Sequence, residues 1–164
     1  MFFIEAEFRD FLRKAHASTY AGGDKNRLPA PSRPGSTEYQ YGEGEFLYHD
    51  VYFGSRDFIG QEVVYHYGIP VWAMNYHGCL APQVEKSVGF VFLRKALLAG
   101  AESGEALRGP KEWIEGEFVY TCDYEGHHFT DDLFSFNGQE NIYRKTNNYH
   151  GGIYRCYFHG GVIS

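Results

Sequence analysis

With 164 residues, of which 43% are hydrophobic, the chain is long enough to bury one substantial core and too short for two, which predicts a single ordered domain over residues 1–164. The formal net charge of −6, without any run of Lys and Arg, argues against a nucleic-acid-binding surface, which needs clustered positive charge. No signal peptide and no apolar stretch near the roughly 20 residues of a membrane span can be recognised, so we expect a cytoplasmic protein without a membrane partner.

The first predicted element is an amphipathic helix over about residues 3–18. Apolar side chains recur there at helical spacing, namely Ile4, Phe8, Phe11, Leu12 and Ala15. A stripe of this kind covers a sheet or another helix in a folded domain.

A segment rich in Gly, Pro, Ser and Thr runs from Tyr20 to Ser36 and carries the basic residues Lys25, Arg27 and Arg33. Its composition is typical of a mobile flap over a site, and equally of a plain linker. We therefore include Arg33 among the candidate ligand-binding residues and keep both interpretations open.

Beyond this segment the period of aromatic and β-branched residues changes to two, which predicts strands. In the first half of the chain the predicted strands lie near 38–42, 45–53, 57–66 and 70–77, with Gly68 in the last turn. A second helix is predicted after Pro82, with the stripe Val84, Val88, Val91 and Phe92 and an end at Gly100. Strands are predicted again near 114–122, 127–136, 140–146 and 152–159.

Four short blocks occur in both halves of the chain in the same order. They are Phe11–Ala15 and Phe92–Ala96, Glu43–Phe46 and Glu115–Phe118, Gly60–Glu62 and Gly138–Glu140, and Tyr76–Gly78 and Phe158–Gly160. The blocks predict an α+β fold made by internal duplication of a helix plus about four antiparallel strands, with pseudo-twofold symmetry and the helices packed on sheet. The repeats would span about 1–80 and 81–164, although strand-rich sequences also resemble each other by composition alone.

Asp50 is the first candidate for chemistry. Strand alternation places it on one face with Tyr48 and Tyr52, and the corresponding face of the second half carries Tyr120, Cys122 and Tyr124. A carboxyl group among aromatic rings either has a hydrogen-bond partner or acquires a raised pKa suited to proton transfer. The sequence leaves both roles open.

Glu62 and Glu140 hold the same place in their Gly-Gln-Glu blocks. If the halves meet symmetrically, the two carboxylates approach each other, as in sites for general acid and base catalysis. Alternatively, glycine makes a bulge in each copy and each glutamate binds backbone amides. We retain Asp50, Glu62 and Glu140 as candidate catalytic residues.

Trp72 is predicted on one face of its strand, and Asn75 and His77 on the other. All three are candidate ligand-binding residues. No histidine has a second His or Cys at ligand spacing, and the rings of His127 and His128 would point to opposite sides of a strand, so we expect no metal site. No enzyme signature motif and no cofactor-binding motif is present, and we expect no cofactor.

Three cysteines, at positions 79, 122 and 156, are an odd number without CxxC spacing. They are expected to be reduced thiols rather than disulfides. Cys79 or Cys122 would act as a nucleophile only beside a base or a positive field.

Several segments together resemble a bacterial family classed as a domain of unknown function. They are Ser32–Ser36, Tyr48–Gly54, Phe58–Val64 and Pro70–Tyr76. Members of that family are stand-alone proteins of this size or the C-terminal part of helix-turn-helix regulators. The resemblance implies a sensor or effector-binding role and no particular chemistry.

The first functional hypothesis is therefore a small-molecule-binding module with an aromatic cleft between the repeats. Its walls would be Tyr48, Tyr52, Trp72, Tyr120 and Tyr124. A hydrolase-like enzyme that uses Asp50, Glu62 or Glu140 as acid and base is one alternative. A protein-interaction module with exposed aromatic faces is another, and such faces would also allow a homodimer.

Overall fold

The computed structural model describes residues 5–105, 107–126, 133–145 and 150–164. Two helices and eight strands follow one another along the chain. They are α1 (Glu5–Ser18), β1 (Thr37–Glu43), β2 (Phe46–Gly54), β3 (Asp57–His66), β4 (Ile69–Leu80), α2 (Lys86–Ser103), β5 (Glu112–Glu115), β6 (Phe118–Gly126), β7 (Ser135–Lys145) and β8 (His150–Val162). No helix in the described ranges is long and apolar enough to cross a membrane.

All eight strands form one antiparallel sheet in the order β1-β2-β3-β4-β8-β7-β6-β5. The centre of the sheet is the pair β4–β8, in which Trp72 lies opposite Val162 and Leu80 opposite Tyr154. The β3–β4 hairpin turns at Tyr67 and Gly68, whose φ angles of 51° and 76° are typical of a two-residue turn with left-handed backbone. The turn predicted at Gly68 is confirmed.

The fold class predicted from the sequence is wrong. Strands hold 50% of the described residues and helices 22%, and the strands belong to one continuous sheet rather than to a duplicated helix-plus-four-strand fold. Pairing of β4 with β8 joins the strands of both halves into one sheet. One hydrophobic core contains residues of both helices and of strands from both halves. Short local matches identify strand residues, but they carry no information on which strands pair over long distances in the sequence.

The two helices contact each other and cover one face of the sheet, α1 over β1 and β2 and α2 over β6. The predicted apolar stripe of α1 is confirmed for Phe8, Phe11, Leu12 and Ala15, which are all buried. On the sheet, Trp72 is fully buried and its indole Nε1 donates to the carbonyl of Leu133 at 3.1 Å. The helices and this sheet face therefore enclose the core.

The stripe predicted for the second helix is confirmed for Phe92 and wrong for Val88 and Val91. Val88 and Val91 are 40% and 52% exposed, while Phe92, Leu93, Ala96 and Leu97 form the buried face. The helix also continues through Gly100 and ends at Ser103, where Gly104 caps it with a φ of 102°. The strand predicted at 114–122 is two strands, β5 and β6, and the one predicted at 127–136 lies mostly outside the described residues.

The segment from Tyr20 to Ser36 is anchored to the sheet by the buried carboxylate of Glu38. This side chain accepts hydrogen bonds from the hydroxyls of Ser32 and Ser36 and from the backbone N–H of Arg33. Burial opposes ionisation, but these hydrogen bonds outweigh it and lower the pKa of Glu38 to about 2. The anchoring favours the linker interpretation over the mobile flap.

Gly100 allows the chain after α2 to return close to the helix. A Cβ at this position would lie 2.6 Å from the Cα of Gly109 and 2.7 Å from the carbonyl oxygen of Arg108, closer than real Cβ contacts. Both neighbours are backbone atoms, so relief requires the return segment to move. Gly100 therefore fixes the position of Arg108 relative to α2.

We expect Gly100→Ala to destabilise the protein by up to about 2 kcal/mol, because the steric cost of overpacking, about 1–3 kcal/mol, opposes a helix-propensity gain of about 1 kcal/mol. Urea unfolding measures the change. The neighbouring variant Ala99→Gly measures the effect of helix propensity without the close contact at Gly100. Its free energy of unfolding should fall by about 1 kcal/mol. A stabilised Gly100→Ala protein would contradict the close approach.

Candidate functional site

A cavity of about 390 Å³ lies between the two helices and the inner face of β2, β3 and β4. Its polar lining comes from His16, Tyr48, Asp50, Glu62, Tyr76, Arg108 and Tyr154, and its more apolar lining from Tyr20, Tyr52, Phe58, Phe90, Val91, Leu93 and Leu97. A volume of this size is in the range of pockets that bind small molecules. The lining residues come from both halves of the chain.

Asp50 and Glu62 stand directly opposite each other on β2 and β3. Directly opposed residues on one face have Cβ atoms about 4.5–5.5 Å apart, so the two carboxyl groups are neighbours. Both are nearly buried, with 4% and 3% of their surfaces exposed. The Tyr76 hydroxyl, on β4, donates to Asp50 Oδ1 at 2.7 Å.

Glu62 is held by a histidine and an arginine. The ring nitrogen His16 Nε2, at the end of α1, lies 2.7 Å from Glu62 Oε2. Arg108 Nη1 lies 3.6 Å from Glu62 Oε1. The carboxylate of Glu62 therefore connects α1 and the segment after α2 to the sheet.

Arg108 bridges Glu62 to Glu140, which is fully buried on β7. Its Nε lies 3.2 Å from Glu140 Oε2, and its Nη2 pairs with Oε1. Glu140 also accepts hydrogen bonds from the hydroxyls of Tyr120 and Tyr154, at 2.6 and 2.7 Å. Burial alone would lower the pKa of Arg108, but the charge of Glu140 more than compensates and raises it well above its ordinary value.

The electrostatics of the cavity favour a protonated Asp50. Burial raises the pKa of Asp50 well above its ordinary value, and the negative charge of Glu62 adds to the shift, against the hydrogen bond from Tyr76. Burial and the neighbouring carboxylates likewise raise the pKa values of Tyr48 and Tyr76, so both hydroxyls keep their protons. Asp50 thus holds its proton more tightly than an ordinary aspartate and lies beside a second carboxyl group, an arrangement that can donate a proton.

Arg94 of α2 ties the cavity wall to the segment after α1. Its guanidinium lies 4.4 Å from the centroid of the Tyr20 ring and 3.0 Å from Asp24 Oδ1. Asp24 also accepts a hydrogen bond from Tyr39. At the rim, the ammonium of Lys86 donates to the Ser55 hydroxyl at 2.7 Å.

The structure brings together four of the residues selected from the sequence: Tyr48, Asp50, Tyr52 and Glu62 all line the cavity. Glu140 and Tyr120 lie behind it and reach it through Arg108. The remaining candidates lie elsewhere, with Trp72 in the core, Tyr124 half-buried on β6, and Asn75, His77 and Arg33 exposed. The expected walls of Trp72, Tyr120 and Tyr124 are therefore not those of this cavity.

Sequence reasoning missed most polar lining residues, among them His16, Tyr76, Arg108 and Tyr154. His16 carries a signal, because it stands four residues after Leu12 on the buried stripe of α1. Tyr76 lies two residues after Met74 and four after Trp72, on the same face of β4, and all three are buried. Arg108 lies in an irregular segment without periodicity or motif, so nothing in the local sequence marks it.

Metal and thiol chemistry find little support. Within the part of the chain that the structure describes, no group of three or more His, Cys, Asp or Glu side chains is arranged to hold a metal ion. His127 and His128 lie outside the described residues. Burial is the main cause that raises the pKa of Cys122 to about 12, and the negative charge of Glu140 is the second. This thiol therefore keeps its proton and is a poor nucleophile. Cys79 is exposed.

One comparison with known proteins gives a match. A family model described as a domain of unknown function, DUF5680, matches residues 50–163. The matched range begins at Asp50 and includes Glu62, Arg108 and Glu140, whereas α1 with His16 precedes it. No curated protein and no solved structure matches the chain. Bacterial origin and fusion to helix-turn-helix segments stay predictions.

We expect Arg108→Met to destabilise the fold by about 3–5 kcal/mol, because removing one partner of a buried ion pair leaves the carboxylate uncompensated. The double variant Arg108→Met/Glu140→Gln should recover part of the loss, since the amide carries no charge and its oxygen still accepts from one of the two tyrosines. Denaturant unfolding of the wild type, Arg108→Met, Glu140→Gln and the double variant measures both effects. Equal stability of wild type and Arg108→Met would show that the bridge contributes nothing.

We expect Asp50→Asn to stabilise the protein at neutral pH. The pKa of Asp50 is raised in the folded state, so its contribution to stability is largest below the unfolded pKa of about 3.9 and is lost as the pH rises through the folded pKa. Asparagine does not titrate and still accepts from Tyr76. Urea unfolding at several pH values should show an advantage of the variant that grows above about pH 4 and then levels off. An advantage independent of pH would contradict the raised pKa.

Proposed function

Because the chain belongs to the family described as a domain of unknown function, DUF5680, which assigns no chemistry, we propose a function from the cavity: the protein is a small-molecule-binding domain. The observation that carries the proposal is the cavity of about 390 Å³ with the buried carboxyl group of Asp50 in its wall. Ligand pockets typically combine apolar and aromatic walls with a few polar groups that orient the ligand. This cavity has both.

The polar groups converge on one end of the cavity and are already oriented without a ligand. Tyr76 positions Asp50, and His16 and Arg108 position Glu62. A site whose side chains are fixed by packing and hydrogen bonds loses little conformational entropy when a ligand binds. Such preorganisation supports a binding role, and a sensor or effector-binding function is the form that the family resemblance suggests.

An acid–base enzyme is the second candidate, and the opposed pair Asp50 and Glu62 favours it. A neutral acid beside a second carboxyl group is the combination that general acid and base catalysis uses. Glu140 is excluded from this role, because its two oxygens are occupied by Arg108, Tyr120 and Tyr154. An enzyme would convert a bound compound into a product, which mass spectrometry of the mixture would detect.

A thermal-unfolding screen tests the binding proposal, because a compound that binds only the folded state raises the unfolding midpoint. We expect hits from a fragment panel of aromatic and aliphatic amines, alcohols and carboxylates, with about 2.7 kcal/mol of stabilisation at a concentration of 100 times the dissociation constant. Val91→Trp places a large ring in the cavity wall and should abolish the shifts.

Val88→Trp is the matched control, because Val88 is exposed on the same helix and does not line the cavity. It should respond to each hit like the wild type. If both tryptophan variants keep their shifts, the compounds bind elsewhere. An unresponsive panel together with concentration-dependent self-association would favour the interaction module over the binding domain.

A further inference from the structure

We propose that the cavity binds an organic cation, a molecule with a protonated amine on an apolar or aromatic body, and that the amine contacts Asp50. The inference rests on the proposed binding function and adds the chemical class of the ligand. It follows from which polar atoms around the cavity already have partners and which do not.

Asp50 presents an acceptor that no other side chain uses. Among the described residues its one hydrogen bond is from Tyr76 to Oδ1, and no buried side-chain nitrogen or oxygen atom lacks a partner. Oδ2 must therefore retain some accessible surface, and because only 4% of Asp50 is exposed, that surface faces the cavity. A nine-tenths buried carboxyl group with a free oxygen invites a donor from the ligand.

The two guanidinium groups of the cavity wall, in contrast, already have anionic partners. Arg108 is paired with Glu140 and Glu62, and Arg94 with Asp24, whereas Lys86 donates to the neutral Ser55 hydroxyl at the rim. An anionic ligand at the base of the cavity would have to displace Glu62 or Glu140 from Arg108. It would also lie beside Asp50, whose ionisation it would oppose further. A ligand cation meets neither obstacle.

Aromatic residues line the same cavity as Asp50. Tyr48 and Tyr52 flank it on the same face of β2, and Phe58 and Tyr76 lie on the two following strands. The face of an aromatic ring attracts a cation within about 6 Å of its centroid, most strongly when water is excluded. The rings would therefore stabilise an ammonium group and also pack against an apolar body.

Cation binding should be coupled to loss of the Asp50 proton. The groups that face Asp50 are Glu62, Tyr48 and Tyr76 from the sheet, with His16 and Arg108 farther along the Glu62 network. Without a ligand, burial and Glu62 hold the pKa of Asp50 high. A cation beside the carboxyl group favours its charged form and lowers that pKa, so Asp50 releases a proton when the ligand binds. The affinity for the cation should accordingly rise with pH.

Three probes of similar shape and different charge test the ligand class: 2-phenylethylamine, 2-phenylethanol and 3-phenylpropionate. Each is titrated into the 164-residue protein at pH of about 6, above the ordinary pKa of an aspartate, and followed by calorimetry in two buffers of different ionisation enthalpy. We expect the amine to bind at least about tenfold more tightly than the other two probes and to release protons.

Asp50→Asn should lose at least about tenfold in affinity for the amine and all proton release, because the neutral amide cannot compensate the ammonium charge. Asp123→Asn is the matched control, since Asp123 is exposed on β6, does not line the cavity, and should behave like the wild type. Equal amine affinity in Asp50→Asn and wild type would overturn the placement of the ligand.

The outcomes separate the ligand class from the binding function. If the alcohol or the carboxylate binds as tightly as the amine and Val91→Trp blocks it, the cation inference fails and the binding domain stands. If none of the three probes binds at up to about 10 mM, a range that detects millimolar dissociation constants, the cation inference fails, whereas the binding domain fails only when the whole fragment panel is unresponsive.

Discussion

The burial of a guanidinium group is the constraint on which the site depends. Arg108 lies between helices and sheet with 10% of its side chain exposed, and a charge in that position is tolerated only when it is paired and hydrogen-bonded. Glu140 supplies the main partner, and Tyr120 and Tyr154 satisfy the same carboxylate. The resulting network fixes the segment after α2 against β6, β7 and β8, and the close approach at Gly100 keeps α2 in place above it.

Because this network uses both carboxylate oxygens of Glu140, the remaining polar groups of the cavity lie on the Glu62 side of Arg108. There the guanidinium makes a longer contact with Glu62, and the space between α1, α2 and β2–β4 remains open as the cavity. The two glutamates that occupy matching places in the sequence therefore have different roles. Glu140 compensates a buried charge, whereas Glu62 lines a cavity beside Asp50.

The sequence was a good guide to individual elements and a poor guide to their assembly. Period-two and helical patterns located α1 and most strands, because alternation reflects local burial on one face. The continuous sheet could not be predicted, since the β4–β8 pairing joins residues about 80 positions apart and leaves no local signal. The stripe of α2 was only partly right for a physical reason: the buried face includes Gly89 and Gly100, which carry no hydrophobic signal, while Val88 and Val91 remain partly exposed.

The candidate site shows the same division between local and long-range information. Alternation on β2 correctly placed Tyr48, Asp50 and Tyr52 on one face, and all three line the cavity. The partner that decides the role of each glutamate is Arg108, which lies in an irregular segment and meets them only through the tertiary fold. A charged residue in such a segment looks like a solvated loop residue until the structure shows its partners.

Two cross-strand pairs distinguish Asp50 from the residue at the matching place in the second half of the chain. On β2 the residue opposite Glu62 is Asp50, and on β6 the residue opposite Glu140 is Cys122, a small neutral side chain that is fully buried. The sheet can thus place a neutral residue opposite a buried glutamate, and a second carboxyl group there has an electrostatic cost that grows with its ionisation. Asp50 lines the cavity, whereas Cys122 does not. The costly carboxyl group occurs where a ligand can enter, which is the position expected of a group retained for binding.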